Sequence, residues 1–418
     1  MKLTLISAVL CSAAIPAFAV EKADVLTNYA DIAAASYGDA LTTARTLQVA
    51  VDALITNPSA ETQQAAKTAW LAARVPYLQT EVYRFGNVMV DDWEGKVNSW
   101  PLDEGLIDYV DVAYGGATEE NAFAALNVIG TPKFVLSGTD IDATAITPEL
   151  ISGPLHEADG VASNVATGYH AIEFLLWGQD LNGNGPGAGA RSFTDYAIGA
   201  DCTNGNCDRR AAYLQSAASL LVSDLEFMAA AWAPEGPARV AVMADENAGV
   251  LTMLTGMGSL SYGELAGERM KLGLMLNDPE EEMDCFSDNT HNSQYYDGLG
   301  IQNIYLGTYT RVDGTVVSGP SLSELVAATD PAVNTQLTAD LAATMAAMGA
   351  MKAAADGGLT YDQMIAPGNA EGAAFITASV DGLVKQTASV ERAVAALGVG
   401  VMALNGSDSL DNPNAVFQ

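Results

Sequence analysis

Histidine is scarce in this sequence, and its three copies, His156, His170 and His291, are the only candidates for a site that uses imidazole. His170 lies in an apolar, helix-compatible stretch, residues 168–178. Glu173 follows three residues later, and residues three apart share one face of a helix, so the imidazole and the carboxylate can bind one metal ion. A buried hydrogen-bonded pair is the alternative interpretation of this H-x-x-E pattern.

Gly168, His170 and Glu173 together form the motif G-x-H-x-x-E, and in this motif the sequence resembles the imelysin family. The resemblance extends over about residues 25–400 and points to the iron-regulated, imelysin-like branch. The further stretches that carry it are residues 70–74 with Tyr77, Glu81 and Arg84, then residues 98–103, 187–191, 264–269, 285–291 and 305–307.

The resemblance implies an exported bacterial protein of two related helical bundles, with a metal site around the histidine motif and a link to iron uptake. Some members of the family are described as insulin-cleaving metallopeptidases. A zincin peptidase needs H-E-x-x-H, and this string is absent from the sequence. A catalytic zinc with three protein ligands would therefore have to recruit a third ligand from elsewhere in the chain.

Glu81 is the first choice for a third ligand, because it belongs to one of the family-like stretches. It is expected on a long helix, one turn from Arg84, and the alternative is an ion pair with Arg84 on the surface. His156 stands beside Glu157 in a loop-like context and is interpreted as a surface residue.

Four further residues are candidates for the metal site or its surroundings. Glu264 and Glu268 are four apart and would share a helix face, and Asp288 and His291 are three apart. Helix capping near Asp288 and solvated carboxylates are the alternative explanations.

A site of two or three carboxylates with one or two imidazoles favours iron, manganese or zinc over copper(I). We expect one divalent or ferric ion, with iron favoured, and possible partners among the iron-uptake proteins of the cell envelope. The alternatives are a metallopeptidase that uses the same ion, and a ligand-binding or adaptor protein in which the H-x-x-E pair is structural. Acid should weaken metal binding, because a protonated imidazole cannot coordinate.

Other common motifs are absent or incomplete. Residues 180–185 read D-x-N-x-N-G, the opening of an EF-hand calcium loop, but the twelfth position is Arg191 where a bidentate glutamate is required. A turn is the better interpretation of this stretch. The sequence has no P-loop, no G-x-S-x-G elbow and no dinucleotide fingerprint.

Helical periodicity dominates the chain and predicts an all-α fold with short irregular insertions. The predicted helices cover residues 24–55, 60–85, 208–232, 247–276, 332–356 and 370–398. One small β-hairpin is expected at residues 311–318, around Asp313-Gly314.

Two similar halves are expected, because glycine- and asparagine-rich stretches divide the chain near its middle. Each half begins with two long helices, and a duplicated bundle is the hypothesis. The predicted N-terminal bundle, residues 20–190, carries the histidine motif, and the C-terminal bundle covers residues 191–418.

The charge balance excludes nucleic acid as a partner. The 418 residues include 51 Asp and Glu against 18 Lys and Arg, a formal net charge of -33. Such a protein repels phosphate backbones and anionic membrane surfaces.

Residues 1–19 have the layout of a secretory signal peptide that is cleaved after Ala19. A lipid anchor on Cys11 is the alternative, and no later stretch is apolar enough to span a membrane. We therefore expect a soluble protein in the periplasm or at the outer cell surface. Export favours a disulfide between Cys202 and Cys207, which leaves Cys285 unpaired.

Overall fold

Helices form most of the protein in its computed structural model, which describes residues 20–417. The predicted signal peptide and Cys11 lie outside the described residues. The α-helices, in chain order, are α1 Lys22–Thr56, α2 Ala60–Leu78, α3 Val88–Asn98, α4 Glu104–Ile107, α5 Pro148–Leu150, α6 Gly168–Trp177, α7 Cys207–Ala231, α8 Pro237–Met243, α9 Glu246–Ser259, α10 Leu272–Leu276, α11 Thr290–Leu306, α12 Leu322–Thr329, α13 Pro331–Asp356, α14 Tyr361–Ile365, α15 Ala370–Leu397 and α16 Asp408–Asp411.

Shorter or altered turns interrupt this series. The 3-10 turns are Glu81–Tyr83, Val112–Tyr114, Ala158–Gly160, Phe193–Tyr196, Gly199–Asp201, Pro279–Glu281 and Ala415–Phe417. Two segments, Ile151–Leu155 and Leu260–Lys271, are π-helical, and the second joins α9 to α10 without a break. The predicted helix over residues 247–276 is therefore continuous, but its middle is wound more loosely than an α-helix.

Two antiparallel hairpins are the only sheets in the part of the chain that the structure describes. Strands β3 (Thr308–Thr310) and β4 (Val316–Ser318) form the hairpin expected around Asp313-Gly314. Strands β1 (Lys133–Leu136) and β2 (Thr139–Asp142) form a second hairpin, so the expectation of at most one was wrong. Ser137 and Gly138 connect β1 to β2 with positive φ angles, as a type I′ turn requires.

The predicted helix over residues 60–85 is too long. Ser59 begins α2 with a capping box, but α2 ends at Leu78, and Glu81–Tyr83 is a separate 3-10 turn. The Arg84 side chain donates to Asp91, outside α2. Residues beyond Leu78 therefore do not lie on the helix faces that the spacing predicted for α2.

Two long helix pairs form the main packing layers. In the first half α1 packs on α2 and also on α7, and in the second half α13 packs on α15. Helix α11 contacts both α2 and α13, while the π-helical segment contacts α11 and α15. Helix α2 also contacts α6 as well as α11, and the predicted division into two bundles at residue 190 stays a prediction.

An ionic cluster connects α7 to Asp108, the residue that follows α4. Asp108 accepts hydrogen bonds from Arg191 Nη1 at 2.7 Å and from Arg210 Nε at 2.6 Å, and all three side chains are buried. Arg191 is the residue that breaks the EF-hand pattern, and this pairing accounts for it. Cys202 forms a disulfide with Cys207, the first residue of α7, and Cys285 is a free, partly buried thiol.

Within residues 20–417, no helix combines the length and the apolar character needed to cross a membrane.

We expect Asp108→Asn to lower the free energy of unfolding by about 3–5 kcal/mol, because two buried guanidinium groups lose their shared anion. Thermal unfolding followed by circular dichroism measures the effect. Asp140→Asn, at an exposed position of β2, removes the same charge and should change stability by less than about 0.5 kcal/mol. Equal effects of the two substitutions would contradict this role of Asp108.

Candidate metal centre

His170 and Glu173 lie in the first and second turns of α6, a helix of ten residues that are all buried. The helix begins at Gly168, whose φ of +80° is disfavoured for residues with a side chain. A Cβ atom at this position would also collide with the backbone of Val97 in α3. The motif glycine therefore allows the close packing that brings His170 to its position.

Three ligand atoms from His170, Glu173 and Asp284 lie within 4.8 Å of one another, and we call these residues the triad. His170 Nδ1 is 3.0 Å from Glu173 Oε2 and 3.7 Å from Asp284 Oδ1. The three side chains are at most 1% exposed. Two of them come from one helix turn, and the third comes from the segment that precedes α11.

A shell of hydrogen bonds fixes both carboxylates. Ser287 donates to Glu173 Oε1 through its backbone nitrogen at 3.0 Å and its hydroxyl at 2.6 Å. Asn289 Nδ2 donates to Asp284 Oδ2 at 2.9 Å, and the Ser293 hydroxyl donates to the same oxygen. The carboxylate positions are therefore set by the segment before α11 and by its first turn.

Arg74 of α2 supplies the positive charge next to the triad. Its Nη2 donates to Asp284 Oδ1 at 2.8 Å, and its Nη1 donates to Asn98 Oδ1 at 2.6 Å. The guanidinium also lies over the rings of Trp70 and Tyr169. Arg74 therefore pairs with the negative charge of Asp284, while Asn98 and the two aromatic rings fix the position of its guanidinium.

Burial decides the protonation of the triad. Removal from water, and then the charge of Arg74, lowers the pKa of His170 to about 3, so the imidazole is neutral at physiological pH. Burial and the neighbouring Asp284 charge raise the pKa of Glu173 well above its usual range. For Asp284 burial acts to raise the pKa, but the charge of Arg74 and the hydrogen bonds from Ser293 and Asn289 together outweigh it, and the pKa is lowered. The proton that a metal ion must displace is therefore on Glu173, not on His170.

The triad fits a metal ion in its donor chemistry. It offers a neutral imidazole nitrogen and two carboxylate oxygens, a combination that binds zinc, iron or manganese. His170 Nε2 is buried and has no hydrogen-bond partner among the described residues. The imidazole is therefore held by its Nδ1 side alone.

Glu81, predicted as the third ligand, lies elsewhere. It is buried in its 3-10 turn, where Oε2 accepts from Arg269 Nη2 at 2.8 Å and Oε1 accepts from Tyr77 at 2.8 Å. The surface ion pair with Arg84 is also wrong, since Arg84 pairs with Asp91. Glu81 diverges from α2 because that helix ends at Leu78.

The other four candidates do not join the triad. Glu264 pairs with Arg269 at 2.7 Å, and Glu268 faces a surface cleft beside Ser407. His291 Nε2 lies 3.4 Å from Asp356 Oδ1, and Asp288 is half-buried with a φ of +55°.

His156 is half-buried rather than on the surface. Its Nδ1 faces the Ala166 backbone nitrogen at 3.4 Å and the Thr167 hydroxyl at 3.3 Å. Those contacts help to set the entry into α6, away from the triad.

Asp284 and Arg74 are the residues that sequence reasoning missed. Asp284 immediately precedes the family-like stretch 285–291, and Arg74 lies within the stretch 70–74. The signal available in the sequence was an aspartate flanked by the apolar residues Met283 and Phe286. Apolar neighbours favour burial, and a carboxylate is seldom fully buried without a partner, as Asp284 is here.

Comparison with known proteins agrees with this arrangement of helices. The family model described as imelysin matches residues 33–390. The chain belongs to the imelysin family. A comparison with curated proteins gave no significant match.

Two solved structures resemble this imelysin-family chain. One is a protein described as an iron-regulated protein A precursor from Parabacteroides distasonis ATCC 8503, with a TM-score of 0.65 and 18% identity over 90% of this chain and 95% of the other. The second is an imelysin-like protein from Psychrobacter arcticum 273-4, with a TM-score of 0.61 and 16% identity over 92% of this chain and 100% of the other. At these identities the likeness shows a shared all-helical fold.

We expect Gly168→Ala to destabilise the protein more than Gly138→Ala. Both glycines have φ +80°, but a Cβ at Gly138 would meet no atom within 4 Å, whereas one at Gly168 would collide with Val97. Gly138→Ala should therefore lower the free energy of unfolding by about 1–2 kcal/mol, through backbone strain alone. Gly168→Ala should lower it by more, because the collision with Val97 is added. Thermal unfolding of both variants tests this, and equal losses would show that the collision is relieved at no cost.

Metal binding to the triad should release about one proton from Glu173 at neutral pH. Affinity should then rise as pH increases until the raised pKa of Glu173 is passed, and it should not follow a histidine titration near about 6.5. Calorimetric titration in two buffers of different ionisation enthalpy measures the proton count. A count of zero would contradict the protonated state assigned to Glu173.

Proposed function

We propose that this protein is an exported metal-binding protein that holds iron at the triad and serves iron uptake. The observation that carries the proposal is the convergence of His170, Glu173 and Asp284 on one buried point. The family and the solved relative described as iron-regulated support it. Asp284 takes the role for which Glu81 was the first choice, because Glu81 is committed to Arg269.

Charge arithmetic favours a divalent ion over a ferric ion at this point. Arg74 and Asp284 cancel, and Glu173 and His170 are neutral before binding. When a divalent ion replaces the Glu173 proton, the buried group gains one positive charge, and a ferric ion would add two. Each uncompensated buried charge is costly, so Fe²⁺ is favoured, with Zn²⁺ and Mn²⁺ as competitors of the same charge.

Arg74 also limits how tightly the triad binds. Its guanidinium donates to Asp284 Oδ1, the same oxygen that lies nearest to His170. A cation at the triad must share this oxygen with a fixed positive charge, which weakens its binding. A protein that passes iron to a partner needs such reversible binding.

The metallopeptidase alternative is supported by the family model, which carries a peptidase name. A peptidase must bring a peptide carbonyl and a water molecule to the metal. The three triad side chains are at most 1% exposed, which leaves a peptide no access in this conformation. Burial therefore favours metal binding over proteolysis.

The test is elemental analysis of untagged protein purified from the periplasm without chelators, followed by Fe²⁺ and Zn²⁺ titration of the metal-free protein. We expect near-stoichiometric metal in the unaltered protein and at least about a tenfold loss of affinity in His170→Ala and Glu173→Gln, since each loses one ligand. His291→Ala is the matched control, because it removes a buried imidazole outside the triad. The control should bind metal normally.

The remaining outcomes separate the alternatives. If neither the unaltered protein nor the variants bind metal, the pair is structural and the adaptor hypothesis takes its place. If an unfolded peptide is cleaved in a metal-dependent manner that His170→Ala abolishes, the protein is a metallopeptidase.

A further inference from the structure

A second group of carboxylates lies close to the triad, around a narrow cavity. Glu104, Asp180, Glu280 and Glu282 line it, and we call it the acidic cavity. The remaining lining residues are Gly183, Pro279, Cys285 and Phe286, so no basic side chain faces the space. The carboxylates come from α4, from the loop after α6 and from the segment around Pro279–Glu281.

One of these carboxylates is buried with one of its two oxygens unpartnered, while its side chain also has a hydrogen bond with Thr290. Glu282 is 1% exposed, and its Oε2 has no hydrogen-bond partner among the described residues. Glu104 is 3% exposed, and its side chain receives a long hydrogen bond of 3.5 Å from Gln179 at Oε1 and a further hydrogen bond from Tyr114. Burial raises the pKa of both Glu282 and Glu104, because an ionised carboxylate away from water is costly. A cation in the cavity would stabilise the ionised form of these side chains.

The surroundings add negative charge to the cavity. Asp288 and Asp362 act on Glu282 with charges of the same sign, and Asp288 Oδ1 is also without a partner. At the cavity mouth, partial desolvation and then the charge of Glu104 raise the pKa of Glu280 to about 7.

The loop after α6 is built to hold Asp180 in position. Asp180 Oδ1 accepts from the Asn182 backbone nitrogen at 2.9 Å and from Asn182 Nδ2 at 2.7 Å. Asn184 Nδ2 donates to the Asp362 carbonyl oxygen at 3.0 Å, which ties the loop to α14. The D-x-N-x-N-G stretch is thus a turn, as its sequence favoured. It places the carboxylate of Asp180 in the cavity beside the carboxylates that other elements supply.

We propose that the acidic cavity is a second cation site, separate from the triad, that binds one hydrated hard divalent cation such as Ca²⁺. The site offers carboxylate oxygens and no imidazole, which suits Ca²⁺ or Mg²⁺ better than a transition metal. Between residues 20 and 417, only the triad brings three such ligand atoms within 4.8 Å. The cavity carboxylates are therefore spaced more widely, and water molecules complete the coordination.

The wide spacing sets the expected affinity. Ligand charge count and site rigidity set Ca²⁺ affinity, and a site assembled from separate elements is expected in the weak range of extracellular modules, with Kd of about 10⁻⁴–10⁻³ M. Ligands that come from three separate elements at irregular spacing also suit Ca²⁺ better than Mg²⁺, which dehydrates reluctantly and demands octahedral geometry. We therefore expect Ca²⁺ to bind more tightly than Mg²⁺.

The experiment is a Ca²⁺ titration of the purified, processed protein by calorimetry and by thermal unfolding, in about 0.3 M NaCl to screen the general negative charge. We expect one saturable site and a Ca²⁺-dependent rise in Tm. Glu282→Gln and Asp180→Asn should each weaken binding by at least about tenfold. Asp180→Asn preserves the Oδ1 that organises the loop, so it tests the charge even if Glu282→Gln does not fold.

Two controls make the result decisive. Glu281→Gln removes one neighbouring charge outside the cavity lining and should leave Ca²⁺ binding unchanged. His170→Ala should also leave it unchanged, because the triad is a different site. Absence of saturable binding, an equal loss in Glu281→Gln, or loss of Ca²⁺ binding in His170→Ala would each overturn the proposal.

Discussion

The buried ion pair between Arg74 and Asp284 is the interaction on which the candidate centre depends. It joins α2 to the segment before α11 across a separation of 210 residues, with both side chains at most 1% exposed. It keeps Asp284 ionised, and that charge in turn keeps a proton on Glu173. The same pair therefore holds two distant parts of the chain together and sets the charge that any bound metal meets.

A second buried arginine explains why the carboxylates in this region have different roles. Arg269 of the π-helical segment pairs with Glu81 at 2.8 Å, with Glu264 at 2.7 Å and with Asp297 at 2.8 Å. These three acids are paired with one buried guanidinium and are not free to bind metal. Glu173 is left without a cation of its own, and this distinguishes it as a ligand.

Sequence periodicity predicted the long helices well, because each is determined by local residue spacing and by caps such as Ser59 and Asn57-Pro58. It failed where the local signal was weak or ambiguous. Helix α2 ends at Leu78 with no glycine to mark the end, and the hairpin of β1 and β2 has only Ser137-Gly138 as its turn signal.

The candidate site was predictable only in its local part. His170 and Glu173 are three residues apart, so helix geometry alone places them together. Asp284 reaches them over more than a hundred residues, and its partner Arg74 is still more distant, so no spacing rule applies. The error at Glu81 has the same origin: its partner Arg269 lies 188 residues away.

The segment from Pro279 to Ser293 connects the two cation sites that we propose. Glu280 and Glu282 face the acidic cavity, whereas Asp284 and Ser287 serve the triad. The donor sets differ in kind, since the cavity offers oxygen alone and the triad adds an imidazole nitrogen. Because Ca²⁺ gains little from nitrogen and iron or zinc gains much, two adjacent sites can hold different ions without competition.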